Sequence, residues 1–427
     1  MPPQDPVRIL FVGDMHLGRR AARVPASAWR DHGLADDLLT PASSWRRCVE
    51  TALSRGVDAV ALAGDLVHDE DDVFEARGRL EEGLRRLTGA GIRVCAVAGN
   101  HDTRVLPALA DVLDDLVLLG RDGTWDTCPI APHVRLAGWS FPARHHAESP
   151  LRGNVPAAVP GVVTIGLLHA DRDAPGSRYA PVTAAELDAA GYDGWALGHV
   201  HAPDPVPAPG EHRPFYLGSV AATTPNETGV HGPVLASVAD GVVVWERLAL
   251  APLRWEHRAI RVDGFVLPDD GEVGPELLLQ LMPRLARAED GAPGPDLLGL
   301  RVTLTGVHTR AADIARWVAG CDRDALTARD ADGTVVFVEK LTADVGTPVD
   351  LVALAARSDP PGLLAGRILA LERGDPALAP LLEEARRAVN HIDPDADDDD
   401  EALRRELAAA GRRALDALLA QTREVRP

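Results

Sequence analysis

Five short apolar runs in the first half of this chain each lead into a cluster of Asp, His or Asn. No other feature restricts the fold as much. The runs are Val7–Val12, Val57–Ala63, Ile92–Ala98, Val162–Leu168 and Trp195–Leu197. The clusters are GDMH with Asp14 and His16, GDLVHD with Asp65, GNHD with Asn100, His101 and Asp102, LLHAD with His169, and GHVH with His199 and His201. Apolar runs bounded by Gly and Asp read as strands buried on both faces. Between the first two runs, Trp45, Cys48, Val49, Ala52 and Leu53 recur at helical spacing, which predicts a helix over residues 44–54 with Cys48 in the core. A second helix carries Leu80, Leu84 and Leu87 and ends near Gly89 and Gly91. Alternating strand and helix means α/β layers.

Ligands of open α/β folds gather at the carboxyl ends of strands. If the five strands are neighbours, their motifs converge on one sheet edge. They bring together carboxylates, an amide oxygen and imidazoles, with no thiolate. That donor set suits a pair of divalent ions of the manganese, iron or zinc type rather than a calcium cage. In Asp-x-His and His-x-His the side chains at i and i+2 share one side of an extended segment, so both can grip one ion. Two adjacent ions need a shared anion, and Asp65 is the natural bridge. Glycines 13, 64, 99 and 198 precede the donors, allow tight turns and keep bulk away. A lone Asp-x-His is weak evidence, because buried histidines are commonly core residues. Five such motifs at strand ends outweigh that reading.

The order D-x-H, GD, GNHD, H, GHxH resembles the calcineurin-like metallophosphoesterase superfamily over about the first 250 residues. More narrowly, HLG, LLHAD, YDGWALGHVHAP, FYLGS and LRWE resemble the DNA-repair exonucleases of the SbcD and YhaO type. The resemblance implies an α/β fold: a metallophosphoesterase β-sandwich flanked by helices over residues 1–257. It also implies a small α+β capping domain that senses DNA shape over 258–345, and a C-terminal helical segment over 346–427. It assigns Asp14, His16 and His201 to one metal, Asn100, His169 and His199 to a second, and Asp65 to the bridge. His101 becomes the catalytic histidine, oriented by Asp102 through its far ring nitrogen. Manganese is the metal expected first, with iron or zinc as alternatives. The implied reaction is phosphodiester hydrolysis at DNA ends, 3′ to 5′, without a covalent enzyme intermediate. The implied partners are DNA and an SMC-type ATPase subunit of the SbcC/YhaN kind, with a homodimer left open.

The chain departs from that pattern twice. Leu66-Val67-His68-Asp69 stands where the group has L-F-D, and His68 reads as a surface-loop histidine. After FYLGS comes VAATTPNETG, which lacks the expected basic and polar pattern. Arg19, Arg20 and Arg104 fit either DNA-backbone contacts or a solvated surface. His145 and His146 read as a mobile loop pair without a site role. The run DPDADDDD is a solvated linker whose last acids cap the next helix, because neither its sixth nor its twelfth position suits a calcium loop.

The remaining chain is less regular. Arg301–Leu304 and Thr334–Glu339 read as strands, Ala311–Val318 as a helix, and Asp263–Pro295 as loose connections. Two terminal apolar stripes, Leu378–Ile392 and Leu403–Leu418, have helical spacing. They pack on their own domain or, as the resemblance favours, dock on the ATPase. A net charge of −20 excludes a protein that coats nucleic acid or an anionic membrane with its whole surface. It leaves room for a local groove. Four scattered cysteines point to a reducing cytoplasm, and no membrane span or signal peptide is read. Two other functions use the same residues. One is a metallophosphatase or a cyclic-nucleotide or small-molecule phosphodiesterase. The other is a non-catalytic scaffold with a structural metal, which has no need of His101.

Overall fold

The computed structural model describes residues 5–19, 24–30, 32–35, 37–68, 73–285, 295–330, 332–392 and 400–424. Its strands are β1 (Val7–Val12), β2 (Ala59–Leu62), β3 (Arg93–Ala96), β4 (Leu116–Leu118), β5 (Trp125–Ala131), β6 (Val134–Trp139), β7 (Val163–His169), β8 (Gly194–Gly198), β9 (Phe215–Tyr216), β10 (Val234–Ala239) and β11 (Val242–Arg247). Beyond them lie β12 (Leu253–Arg261), β13 (Leu297–Val307), β14 (Thr327–Arg329) and β15 (Val335–Gly346). The chain divides into two compact units. The first comprises Met1–His257, Leu285–Arg301 and Arg323–Lys340; the second comprises Arg258–Arg284, Val302–Asp322 and Leu341–Pro427.

The first unit holds the expected β-sandwich flanked by helices. One sheet has the order β11-β10-β1-β2-β3-β4, the other β5-β6-β7-β8-β9. The period of two along each strand builds the layers. In β1, Ile9 and Phe11 face the second sheet and meet Leu136, Ile165, Leu167, Ala196 and Phe215. Leu10 and Val12 face the other way, onto the helices. In β2, Ala59 and Ala61 point inward, while Val60 and Leu62 point to the helices. The other face of the second sheet is covered around Trp139, Leu187 and Trp195.

Helix Pro41–Arg55 buries Trp45, Cys48, Val49 and Ala52, as its spacing predicts. It starts three residues earlier than the apolar pattern suggests. Thr40 caps it by accepting from the Ser43 backbone N–H, and Pro41 supplies a preset first turn. Gly56, at φ 57°, ends it in the left-handed conformation. Helix Val73–Gly89 packs beside it through Leu80, Leu84 and Leu87. Each such fully buried leucine contributes about 1.5–3 kcal/mol.

Two expectations need correction here. The five motif-bearing strands do not form one sheet: β1, β2 and β3 belong to the first, and β7 and β8 to the second. The stretch Asp263–Pro295 is not all loose, because it contains helix Gly274–Leu285. Leu277, Leu281 and Leu285 recur every four residues there and are buried. The surrounding Gly and Pro hide that stripe from a composition-based reading.

In the second unit, helices Leu351–Ala355, Pro360–Glu372 and Asp400–Glu424 share a small core of Leu351, Leu354, Ala365, Ile368 and Leu415. Part of the last apolar stripe is therefore used within the unit. Helix Ala379–Ile392 keeps Leu381, Leu382 and Ala385 half-buried. Most of the acidic run lies outside the described residues; Asp400 and Glu401 form the first turn of the last helix, as expected of capping acids.

Candidate metal centre

The carboxyl ends of both sheets of the sandwich open onto one pocket. Asp14 and His16 follow β1, Asp65 follows β2, and Asn100 follows β3. His169 is the last residue of β7, and His199 and His201 follow β8. The backbone is bent hard to present them. Asp14, His16, Asp65 and His199 have φ of 33°, 47°, 50° and 97°, a region that side chains other than Gly seldom adopt. Strain of this kind, about 1–3 kcal/mol per residue, persists where surrounding structure enforces it and clusters at functional sites. The neighbouring glycines serve mainly as space. A Cβ on Gly99 would lie 2.1 Å from the Asp65 Oδ1, and one on Gly198 would lie 2.2 Å from the Ala63 carbonyl oxygen.

The donors fall into two groups around Asp65. In the first, Nε2 of His16 is 3.0 Å from Nε2 of His201. The donor atoms of Asp14, His16 and His201 all lie within 4.8 Å of one another. In the second, Asn100 Oδ1 is 3.0 Å from His169 Nε2 and 3.1 Å from His199 Nδ1. The two ring nitrogens are 3.2 Å apart. Asp65 stands between the groups: its Oδ2 is 3.4 Å from His169 Nε2 and 3.8 Å from His16 Nε2. Asp14, expected in the first group alone, also reaches Asp65 and His169 within 4.8 Å.

The ring partners fix which nitrogens carry hydrogen. His169 Nδ1 faces the Ala63 carbonyl at 3.0 Å, so that nitrogen is the donor and Nε2 is a bare lone pair. His199 Nε2 faces Asp171 Oδ1 at 3.1 Å, which leaves Nδ1 bare. Asn100 adds a carbonyl oxygen. Three acceptors thus meet at about hydrogen-bond distance with no hydrogen between them. His201 Nδ1 donates to Glu227 Oε1 at 3.0 Å, leaving Nε2 bare toward His16 and the carboxylates. Like-signed lone pairs converge in this way when a cation sits among them, so the donor chemistry fits divalent ions.

Burial sets the charge states. It pushes His16 down to about 3 and also lowers His169 and His199, so these imidazoles are unprotonated at neutral pH. Burial pushes Asp14 up to about 7. His201 goes the other way: burial alone would lower it, but the Glu227 carboxylate and Asp14 raise it. Exposure is graded from floor to rim. Side chains of Asp14 and His169 are sealed at 0%, whereas His199 and His201 are 18% and 25% exposed. A phosphate therefore has access from the histidine side.

His101 and Asp102 lie in the same pocket, but not in the expected relation. Asp102 does not orient the His101 ring. It is fully buried and accepts from the backbone N–H of Leu66 and of Gly99, both at 2.7 Å. It thereby ties the Asp65 loop to the Asn100 loop, and burial pushes it up to about 7. Its side chain turns into the protein while that of the preceding residue turns out. The His101 Nδ1 instead faces the His68 carbonyl oxygen at 3.1 Å.

His68 is not a detached surface histidine. Its ring stacks on His101 at 5.8 Å and meets His16 edge-on at 5.4 Å. His146 is also held, with its ring 5.0 Å from Trp139 and its backbone N–H on the Arg178 carbonyl. His145 packs on Tyr179, which packs on His199. Arg19 lies 3.6 Å from Glu227, while Arg20 is outside the described residues. The sequence motifs do not single out Asp171 or Glu227. Asp171 had a signal, two residues past His169 in LLHAD. Glu227 sits in the VAATTPNETG stretch, 26 residues from His201, with no local sign of its role.

The α/β sandwich aims imidazoles, carboxylates and an amide oxygen into one pocket, a donor set that fits divalent metal ions. Residues 7–203 match the calcineurin-like phosphoesterase family. That segment is just under half of the chain, and over it the chain is similar to the metallophosphoesterases. Among curated relatives, an uncharacterized metallophosphoesterase of Bacillus subtilis, YhaO, is 28% identical over 242 residues, which is 52% of this chain and 55% of the relative. The DNA double-strand break repair protein Mre11 of Haloferax volcanii is 29% identical over 254 residues, 57% of this chain and 52% of the relative. The Mre11 of Halobacterium salinarum is 25% identical over 414 residues, 92% of this chain and 97% of the relative. The chain thus spans about half the length of the first two. No helix among the described residues is long and apolar enough to cross a membrane.

Proposed function

We propose that this chain is the manganese-dependent nuclease subunit of a DNA-end-processing assembly, hydrolysing phosphodiester bonds 3′ to 5′ in the cytoplasm. The observation that carries the reading is the pair of donor groups flanking Asp65. Asp14, His16 and His201 would hold one ion, Asn100, His169 and His199 the other, and Asp65 would touch both. Bound divalent ions supply Lewis-acid contacts to phosphate oxygens and an activated water at neutral pH. The chain's own residues do the rest. The loops hold the seven donors in a fixed shape, so no reorganisation is needed when phosphate arrives. His101, anchored through Nδ1 on the His68 carbonyl, would give a proton from Nε2 to the departing sugar oxygen when its ring is in the imidazolium form.

Support for DNA as substrate comes from the Mre11 name carried by two of these relatives, one of them aligned along nearly its whole length. The test is purified protein with Mn²⁺ on linear duplex DNA, on a small phosphodiester and on a phosphomonoester. We expect DNA ends to be shortened and the shortening to stop with a chelator. Cleavage confined to the small esters would turn the reading toward a phosphatase or small-molecule phosphodiesterase. No cleavage in any arm would leave a structural metal site.

The proposal keeps residues 258–345 as the DNA-capping part and 346–427 as the part that docks on an SMC-type ATPase. In the helical region Val352 and Leu363 are each 63% exposed, which suits a partner's apolar helix face. Val352→Asp combined with Leu363→Asp should abolish co-purification with the ATPase and leave Mn²⁺ binding unchanged. Full retention of the partner would refute this docking site.

A further inference from the structure

The two rim histidines of GHVH turn opposite nitrogens inward. His199 offers Nδ1 to Asn100 and His169, whereas His201 offers Nε2 to His16. Neighbouring residues with the same side chain have no intrinsic reason to differ in this way. Each outward nitrogen meets its own carboxylate. Asp171 Oδ1 lies 3.1 Å from His199 Nε2, and Glu227 Oε1 lies 3.0 Å from His201 Nδ1. A carboxylate accepts only, so it holds the proton on the nitrogen it faces and leaves the other nitrogen bare.

Both carboxylates are themselves anchored. The Asp171 Oδ2 accepts from the Ser177 hydroxyl, and its backbone N–H donates to the Tyr179 carbonyl at 2.9 Å. Glu227 is buried, its Oε2 accepts from the Thr223 N–H at 2.6 Å, and Arg19 stands 3.6 Å from its Oε1. His169 on the floor differs, since a backbone carbonyl fixes its ring.

We propose that Asp171 and Glu227 are positioning residues, each setting the tautomer and ring angle of one rim histidine. Each therefore controls one of the two cation sites independently of the other. This inference rests on the two-ion reading of the pocket. Glu227 governs the site of Asp14, His16 and His201; Asp171 governs that of Asn100, His169 and His199. Carboxylates in this position typically change metal affinity 10–100-fold.

The test is calorimetric titration of chelator-stripped, full-length protein with Mn²⁺. The variants are Glu227→Gln and Asp171→Asn, which keep side-chain shape, with His201→Ala and His199→Ala as references. Wild type should bind two ions. Glu227→Gln should weaken one binding event about 10–100-fold, the same event lost in His201→Ala. Asp171→Asn should weaken the other, the one lost in His199→Ala. Adding Glu227→Gln to His201→Ala should change nothing further. Equal weakening of both events in either variant would mean a general structural role and overturn the proposal. Two ions bound with unchanged affinity in both variants would overturn it while leaving the two-ion reading intact. A wild type that binds no Mn²⁺ would overturn both.

Discussion

His101→Ala is expected to bind Mn²⁺ like the wild type and to lose turnover on DNA ends by about 10²–10⁴-fold, the usual worth of a general acid. The two effects separate because His101 touches the pocket in two ways. Its backbone N–H donates to Asp65 Oδ1 at 3.0 Å, and that contact survives the substitution. Among the described residues its ring meets the His16 and His68 rings and the His68 carbonyl. Removing the ring therefore leaves the donor groups in place and takes away the proton-holding nitrogen. The loss should fall on kcat, because the proton is needed only as the sugar oxygen departs. Calorimetry and steady-state kinetics on one preparation check both halves. Metal lost together with activity would make the ring a ligand. Activity within a few-fold of wild type would remove His101 from the chemistry.

Asp65→Asn should have the largest effect on metal binding. The amide keeps the shape, and Asn tolerates the left-handed backbone that Asp65 adopts at φ 50°. What disappears is the charge shared by both donor groups. Two divalent ions a few ångströms apart repel strongly, and only an anion between them offsets this. The variant should bind one ion or none, and DNA cleavage should fall to background. Thermal stability gives a second readout. An ion at a hundred times its Kd adds about 2.7 kcal/mol, so the wild type should gain about 4–8 °C in Tm with saturating Mn²⁺. Asp65→Asn should gain half of that or less. A wild-type Mn²⁺ response in Asp65→Asn would mean that this carboxylate is not shared.

Much of the pocket is legible in the sequence. Asp14, His16, Asp65, Asn100, His169, His199 and His201 all meet where strand-end logic puts them. The physical reason is that a strand's carboxyl end is where buried backbone opens to solvent, so a polar residue directly after an apolar run faces the opening. The reading failed at one remove from those residues. The resemblance pairs Asp102 with its neighbour His101, but its carboxylate serves the Leu66 and Gly99 backbone. His68 reads as a surface-loop residue but stacks in the pocket. Glu227 left no trace, because its partner is brought to it by the turn of a distant loop.

The amino-acid order alone determined the kinds of donor, the strands that carry them and the face each strand buries. Those properties follow from local alternation and from the chemistry of single side chains. Only the tertiary structure decided that the donors come from two facing sheets, that GHVH turns one Nδ1 and one Nε2 inward, and which carboxylates hold them there. A ring nitrogen's role depends on the partner across from it, and that partner is chosen by packing between segments that no local pattern connects.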